Sequence, residues 1–95
     1  MPAYLISQIE IHDPKGYEDY RKLVGPSLVK YGGKFVARGG KIDVLEGNWA
    51  PKRVVICEFE SIERAREWYE SPEYLPAMEI RQKTSEAKII VVDGL

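Results

Sequence analysis

The chain has 95 residues, a length that suits one domain, residues 1–95, with a core of modest size. Its 14 basic and 15 acidic residues leave a net charge of −1, which does not predict a nucleic-acid surface. No apolar run approaches the roughly 20 residues of a membrane span, and the start of the chain lacks a signal-peptide pattern, so we expect a cytoplasmic protein without a membrane partner. With one Cys and one His, we expect no internal disulfide and no metal site.

The first strand and the first helix are predicted from periodicity. Residues 3–12, AYLISQIEIH, alternate with one apolar face and one mixed face, as a strand does. An Asp-Pro pair at residues 13–14 supplies an N-cap and a first helical residue. We therefore predict a helix over residues 14–31, with a kink or short break at the Gly-Pro pair 25–26. The glycines at 32–33 should end it.

The centre of the chain, residues 35–59, predicts one long β-hairpin because two apolar runs are joined by the turn segment GNWAPK. Before the Gly-Gly pair at residues 39–40 the inward side chains lie at odd positions, and after it Ile42 and Val44 lie at even positions. A β-bulge at the glycines explains this change, and a plain bend is the alternative. Residues 53–59 are apolar on both faces, which predicts a central strand.

The last third of the chain predicts two helical segments and a final strand. Ser61 is a suitable N-cap for the first segment. A Ser-Pro pair at residues 71–72 starts the second, over residues 72–84. Residues 87–92, AKIIVV, predict a strand that is apolar on both faces. The side chains expected to point inward are Ile62, Ala65, Trp68 and Tyr69 in the first segment and Leu75, Met78 and Arg81 in the second.

The element order βαββαβ predicts an α+β fold in which both helices cover one face of a four-stranded antiparallel sheet. The other face then exposes apolar side chains, among them Ile6, Val54 and Ile56. A two-fold interface needs only one self-complementary patch. We therefore predict a homodimer formed through the helix-free sheet face.

Four segments of the sequence, DPKGYEDYRKLV, KYGGKFVARGG, VLEGNWAPKRVVICEF and AREWYESPEY, resemble the bacterial family known as domain of unknown function 1330, within the dimeric α/β barrel superfamily. The resemblance spans nearly the whole chain. It implies a ferredoxin-like protomer and a dimer, and no catalytic residue, because the family has no established reaction. The wider superfamily includes cofactor-free monooxygenases, muconolactone isomerases and haem-degrading enzymes, an analogy at the level of fold.

Charged residues of the hairpin are the first candidates for a ligand site. Arg38 and Glu58 are expected to face each other across neighbouring strands, either as a structural ion pair or as a pair that fixes a small polar or anionic ligand between the sheets. Arg53 and Glu46 flank the turn and are expected to pair across it, as a rim contact or beside the ligand.

Aromatic residues are the second group of candidates. Trp49, in the turn, is expected either to dock on the partner subunit or to form a lid over a pocket. Trp68 and Tyr69 are expected in the core or at the interface, with Tyr69 and Tyr74 as candidate hydroxyl donors to a ligand beneath the helix. His12 is expected to be a surface or capping residue, with catalysis as the alternative. Cys57 is expected to be buried and inert, with a nucleophile as the alternative.

The function predicted from the sequence is that of a homodimer which binds a small organic molecule in an inter-sheet or helix-sheet cavity. Cofactor-free isomerase or monooxygenase-like chemistry is the reaction class that goes with this prediction, and we expect no cofactor. Whether the chain is an enzyme stays open. The alternative is a non-catalytic module for self-association or interaction. A haem-handling oxygenase is disfavoured because the single histidine lies at a strand end.

Overall fold

Along the first strand, buried side chains alternate with more exposed ones, so the two faces of the sheet differ in burial. In the computed structural model, which describes residues 1–95, Ala3, Leu5, Ser7 and Ile9 are buried on one face of that strand, and the residues between them are more exposed. The elements in chain order are β1 (Ala3–Ile11), α1 (Pro14–Lys30), β2 (Lys34–Arg38), β3 (Val54–Phe59), α2 (Ile62–Tyr69), α3 (Leu75–Thr84) and β4 (Ser85–Asp93).

The four strands form one antiparallel sheet in the order β2-β3-β1-β4. The odd-numbered side chains of β1 and β3 pack with the buried side chains of the three helices in one core. The predicted α+β, ferredoxin-like arrangement is therefore confirmed. The central position predicted for β3, from its apolar residues on both faces, is confirmed as well.

Helix α1 begins as predicted and runs without the predicted break. The Asp13 side chain accepts a hydrogen bond from the Gly16 amide at 3.1 Å, which caps the helix, and Pro26 lies within its continuous span. Val24 and Leu28, on either side of this proline, are both buried, so both parts of the helix are held against the same core. The helix is followed by Gly32 with a φ of 75°, the left-handed geometry that glycine accepts easily.

The second strand is shorter than predicted. It ends at Arg38, and residues 39–53 form neither strand nor helix, so the extension through Ile42 and Val44 was wrong. Gly39 has a φ of 69°, and its amide donates to the Val54 carbonyl at 3.0 Å, which closes the ladder between β2 and β3. Beyond that bond the ladder has no partner for Ile42 or Val44, and both side chains are exposed.

The second helical region begins at the predicted cap, and its last helix starts later than predicted. The Ser61 hydroxyl accepts from the Arg64 amide at 3.1 Å and caps α2. The Ser71 hydroxyl accepts from the Tyr74 amide at 3.1 Å, but this closes a turn, and α3 begins at Leu75 because Pro76 fits only a first helical turn. Leu75 is therefore exposed, contrary to prediction. The residues of this region that point inward include Tyr74, Ala77 and Arg81.

The face of the sheet opposite the helices is apolar and uncovered. Ile6, Val54 and Ile56 are half-buried there, while Ile90 and Val92 on β4 are 62% and 46% exposed. The predicted apolar helix-free face is thus present. None of the helices combines the length and the hydropathy needed to cross a membrane.

Candidate functional site

A cavity lies between α1 and the covered face of the sheet. Its volume is about 30 Å³, room for one or two water molecules, and 11 of the 15 residues around it are hydrophobic. The apolar wall includes Leu5, Ile9, Val24, Val55, Trp68 and Ile89. A site of this character suits the apolar part of a small organic molecule.

Three arginines from three different elements reach the cavity. The Arg38 guanidinium lies 4.1 Å from the centre of the Phe35 ring. Arg21, on α1, and Arg53, just before β3, lie 5.6 and 6.0 Å from the centre of the Tyr17 ring. Stacking on these rings holds the guanidinium groups while leaving their N–H edges open to hydrogen bonding.

A β-bulge places Arg38 on the cavity side of the sheet. Phe35 pairs with Cys57 and Ala37 pairs with Ile56, so Val36 is the extra residue. The predicted change of parity therefore occurs, but at Val36 and before the two glycines. After the bulge Arg38 lies opposite Val55, whose side chain belongs to the core.

The bulge also explains why the predicted pair between Arg38 and Glu58 was wrong. Glu58 faces the helix-free side, where Lys34 lies directly opposite it and pairs with its carboxylate at 3.6 Å. Arg38, moved to the other face, belongs to none of the ion pairs of the structure. The two residues are on opposite sides of one sheet.

Arg53 continues the inward parity of β3. Its carbonyl accepts from the Ile9 amide at 2.9 Å, which sets the residue beside a buried position of β1. Its Nε atom is buried and has no hydrogen-bond partner. The predicted pair with Glu46 was wrong, because the Arg53 side chain turns inward to the cavity and Glu46 is exposed in the loop.

Tyr74 lines the cavity and belongs to a buried chain of polar groups. Its hydroxyl lies 3.0 Å from the Tyr20 hydroxyl and accepts from Arg81 Nε at 3.3 Å. Burial raises the pKa of both tyrosines, and the neighbouring Tyr74 raises that of Tyr20 further. Both phenols are therefore neutral at physiological pH.

The other predicted aromatic residues lie outside the cavity. Trp49 is 63% exposed, and its Nε1 donates to Gln8 Oε1 at 2.8 Å on the helix-free face of the sheet. Tyr69 is half-buried on α2 with its ring 5.9 Å from that of Tyr74, and it lines two grooves near β4 that are more open than the cavity. The structure thus brings together Arg38, Arg53 and Tyr74, and separates them from Glu58, Trp49 and Tyr69.

The two residues with the most familiar reactive side chains have different surroundings. Cys57 is buried in the cavity wall, and burial raises the pKa of its thiol to about 11 despite the opposing effect of Arg38. His12 is exposed, with Nε2 at 3.7 Å from Glu86 and away from the cavity. No three His, Cys, Asp or Glu side chains are grouped so as to hold a metal ion.

Two residues of the site were not predicted as ligand-binding candidates, namely Arg21 and Tyr20. Both lie on α1, where helical spacing from the buried Tyr17 indicates the inward position of Tyr20. Arg21 follows Tyr17 by four residues, a spacing that makes two helical side chains neighbours, and its guanidinium lies over the Tyr17 ring. Arg81 was predicted to point inward, but its bond to Tyr74 depends on the turn before α3.

A family model described as domain of unknown function (DUF1330) matches residues 2–95. A protein of unknown function from Rhodopseudomonas palustris has 23% sequence identity and a TM-score of 0.78, with 99% of this chain and 82% of that chain covered. No curated protein shows significant sequence similarity.

Two further solved structures share the fold at low identity. SnoaB, a cofactor-independent oxygenase from Streptomyces nogalater, is 12% identical with a TM-score of 0.67, covering 99% of this chain and 93% of that chain. A dimeric protein of unknown function with a ferredoxin-like fold from Bacteroides fragilis is 12% identical with a TM-score of 0.59, covering 98% and 96%. At such identities the likeness establishes the fold alone.

Proposed function

Since this chain belongs to the family described as domain of unknown function 1330, its function must be argued from its own side chains, and we propose that it binds a small organic anion in the cavity between α1 and the sheet. The anionic group of the ligand lies between Arg38 and Arg53, and the apolar part lies against the cavity wall. The observation that carries this proposal is the buried Arg53 Nε, which has no hydrogen-bond partner.

An unpartnered N–H on a charged group is costly to the unliganded chain. Leaving a buried donor unsatisfied costs about 1–3 kcal/mol, and more when the group is charged. Such an atom in a native structure calls for an explanation, and a role in binding an anion is one. An oxyanion beside Arg53 supplies a charge-assisted hydrogen bond, which is the stronger kind.

The local charge supports an anion in particular. Neither Arg38 nor Arg53 belongs to any ion pair, while the third arginine, Arg21, is 3.5 Å from Glu18. No lining residue of the cavity is acidic. Two uncompensated guanidinium groups at an apolar cavity therefore favour a ligand that has a negative end and an apolar body.

The size of the cavity limits the ligand to a short or narrow molecule. The space of about 30 Å³ takes only a few atoms unless the site widens. Arg38 and most of residues 39–52 are exposed, and residues 39–53 belong to no helix or strand. Ligand entry by displacement of these groups agrees with their exposure.

The experiment is an NMR titration with 4-methylpentanoate, a short branched acid, and with its uncharged amide as the matched ligand control. We expect the acid to bind and the amide to bind more weakly. Arg53→Met and Arg38→Met should each lower the affinity for the acid at least about tenfold. Arg66→Met, at an exposed arginine of α2 outside the cavity, should change it less than about twofold. Equal binding of acid and amide would contradict the proposal.

Turnover of the bound anion stays a prediction. Cofactor-free isomerase or monooxygenase-like chemistry would use the hydroxyl and guanidinium groups of the cavity to stabilise negative charge on a substrate oxygen. SnoaB, which has a similar fold, is a cofactor-independent oxygenase, but one fold hosts many reactions. Binding is thus the primary proposal, and catalysis depends on it.

A second proposal concerns the helix-free face, where we infer that two copies of the chain associate. The exposed Ile90 and Val92 continue into the half-buried Ile6 and Ile56 on neighbouring strands. Two such faces packed about a two-fold axis remove these side chains from water. Trp49 and Leu45, 63% and 92% exposed in the loop, would then contact the partner. A dimer of the same fold supports this proposal.

A further inference from the structure

Three buried polar groups form a line from α3 to the cavity. Arg81 Nε donates to the Tyr74 hydroxyl at 3.3 Å, and the Tyr74 hydroxyl lies 3.0 Å from that of Tyr20. The exposed fractions of the three residues are 5%, 1% and 8%, in that order. Only Tyr20 and Tyr74 line the cavity, so Arg81 stands behind them as seen from the ligand.

The line contains more donors than acceptors. Arg81 Nε carries one N–H and has no lone pair to accept with, and each phenol carries one O–H. The acceptors available to these three hydrogens within the line are two oxygens, those of Tyr20 and Tyr74. One phenolic hydrogen is therefore left without an acceptor inside the line.

The position of Arg81 decides which hydrogen is left over. Arg81 Nε donates to the Tyr74 oxygen, and within the Tyr20–Tyr74 pair either hydroxyl can be the donor. Donation from Tyr74 to Tyr20 gives each oxygen one hydrogen to accept, which is the cooperative order of such a chain, whereas donation from Tyr20 would place two hydrogens on the Tyr74 oxygen and none on that of Tyr20. The Tyr20 hydroxyl is then the end of the line and offers its hydrogen to the cavity.

We infer that Tyr20 is a ligand-binding residue that donates a hydrogen bond to an oxygen of the ligand, and that Tyr74 and Arg81 are positioning residues that fix the direction of this donor. The inference rests on the proposed function and narrows the ligand class. The ligand is an organic anion that carries, apart from its anionic group, an acceptor oxygen such as that of a ketone.

Two acids of nearly equal shape test the inference. In 4-oxopentanoate a ketone oxygen takes the place of one methyl group of 4-methylpentanoate, and the carboxylates are the same. The readout is the ratio of the dissociation constant for 4-methylpentanoate to that for 4-oxopentanoate, measured by NMR titration. This ratio cancels effects on the carboxylate site and on folding, because both acids experience them equally.

Tyr20→Phe should lower this ratio about five- to tenfold, since it removes one hydrogen bond from the ketone alone. Tyr17→Phe, one helical turn away, removes another hydroxyl of the cavity wall, and the ratio should stay higher in it than in Tyr20→Phe. Tyr4→Phe, on β1 and outside the cavity, is the control that should leave the ratio unchanged. Arg81→Met should lower the ratio about two- to threefold, because Tyr20 is then free to donate to Tyr74.

The outcomes separate this inference from the proposed function. An unchanged ratio in Tyr20→Phe, with both acids still bound in an arginine-dependent manner, would overturn the role of Tyr20 and leave the proposed function standing. A loss in Tyr17→Phe in place of Tyr20→Phe would overturn the assignment of the donor. Failure of both acids to bind the wild-type chain would overturn the proposed function together with this inference.

Discussion

Gly39 lies directly against the Arg53 guanidinium, so that a side chain at position 39 would collide with Nη1 and Cζ of the arginine. The glycine also has a φ of 69° and forms the last backbone bond of β2 to β3. The backbone at Gly39 thus packs against the Arg53 guanidinium on the side away from the cavity and keeps it directed towards the cavity. A position that ends a strand is at the same time a support of the proposed anion site.

Gly39→Ala should therefore weaken anion binding more than it weakens the fold. The guanidinium is the far end of a flexible side chain and moves away at little cost, but its new position no longer faces the cavity. Gly47→Ala is the matched control, because Gly47 has a φ of 91° and open space around it. Both variants should lose about 1 kcal/mol of stability from backbone strain, and only Gly39→Ala should lose affinity for 4-methylpentanoate. Equal affinity in the two variants would contradict the support role.

Arg53→Met should make the unliganded chain more stable. The substitution removes the buried Nε that has no partner and keeps most of the apolar stem. We expect the free energy of unfolding in urea to rise by about 1 kcal/mol. Arg66→Met, at an exposed arginine, should change it by less than about 0.5 kcal/mol. A loss of stability in Arg53→Met would mean that the guanidinium holds the fold and is not reserved for a ligand.

Ile90→Lys should prevent self-association. Ile90 is 62% exposed on the helix-free face, where a charge buried between two sheets would have no partner. Val29→Lys is the control, since Val29 is 72% exposed on α1, on the other side of the molecule. Native mass spectrometry should show a dimer for the wild-type chain and Val29→Lys, and a monomer for Ile90→Lys. Dimers of all three would place the interface elsewhere.

Glu73 should make the stability of the chain depend on pH in the acid range. Hydrogen bonds from Lys30 Nζ at 2.8 Å and from the Tyr31 hydroxyl at 2.7 Å lower the pKa of Glu73 to about 2. Because this pKa is lower in the folded than in the unfolded chain, the stabilisation is present above the usual carboxyl pKa and is lost as the pH falls towards 2. The contact joins the end of α1 to the turn before α3, and so helps to hold Tyr20 near Tyr74.

The measurement is urea unfolding of wild-type and Glu73→Gln chains at about pH 6 and about pH 2.5. The variant should be less stable than the wild type at the higher pH, and the difference should shrink at the lower pH. Glu70→Gln, at an exposed acid of the same region, should show no such change. A difference between Glu73→Gln and wild type that is the same at both pH values would contradict the assignment.

Much of the fold was predictable because burial imposes a period on the sequence. The alternation in β1, the spacing of Tyr17, Tyr20 and Val24 in α1, and the apolar residues on both faces of β3 each determine one element and its inward face. The end of β2 was not predictable in this way. Ile42 and Val44 have the pattern of a strand, but they have no partner once Gly39 bonds to Val54.

The residues around the cavity were predicted only in part, because a shift in the register between β2 and β3 could not be foreseen. Arg38, Arg53 and Tyr74 were proposed as ligand-binding residues, and the structure gathers them at one cavity. The partner chosen for Arg38 was wrong because one extra residue, Val36, moves every later side chain of β2 to the opposite face. No residue type in the sequence around Val36 indicates the bulge. The glycines that follow it suggested an irregularity at the wrong residues.

The central claim is that the cavity between α1 and the sheet takes an organic anion with its charged end at Arg38 and Arg53 and an oxygen at Tyr20. A crystal structure of the chain with 4-oxopentanoate tests this most directly. We predict carboxylate oxygens within about 3.2 Å of both guanidinium groups and the ketone oxygen at a similar distance from the Tyr20 hydroxyl. A molecule bound on the helix-free face, with this cavity still empty of ligand, would contradict the claim.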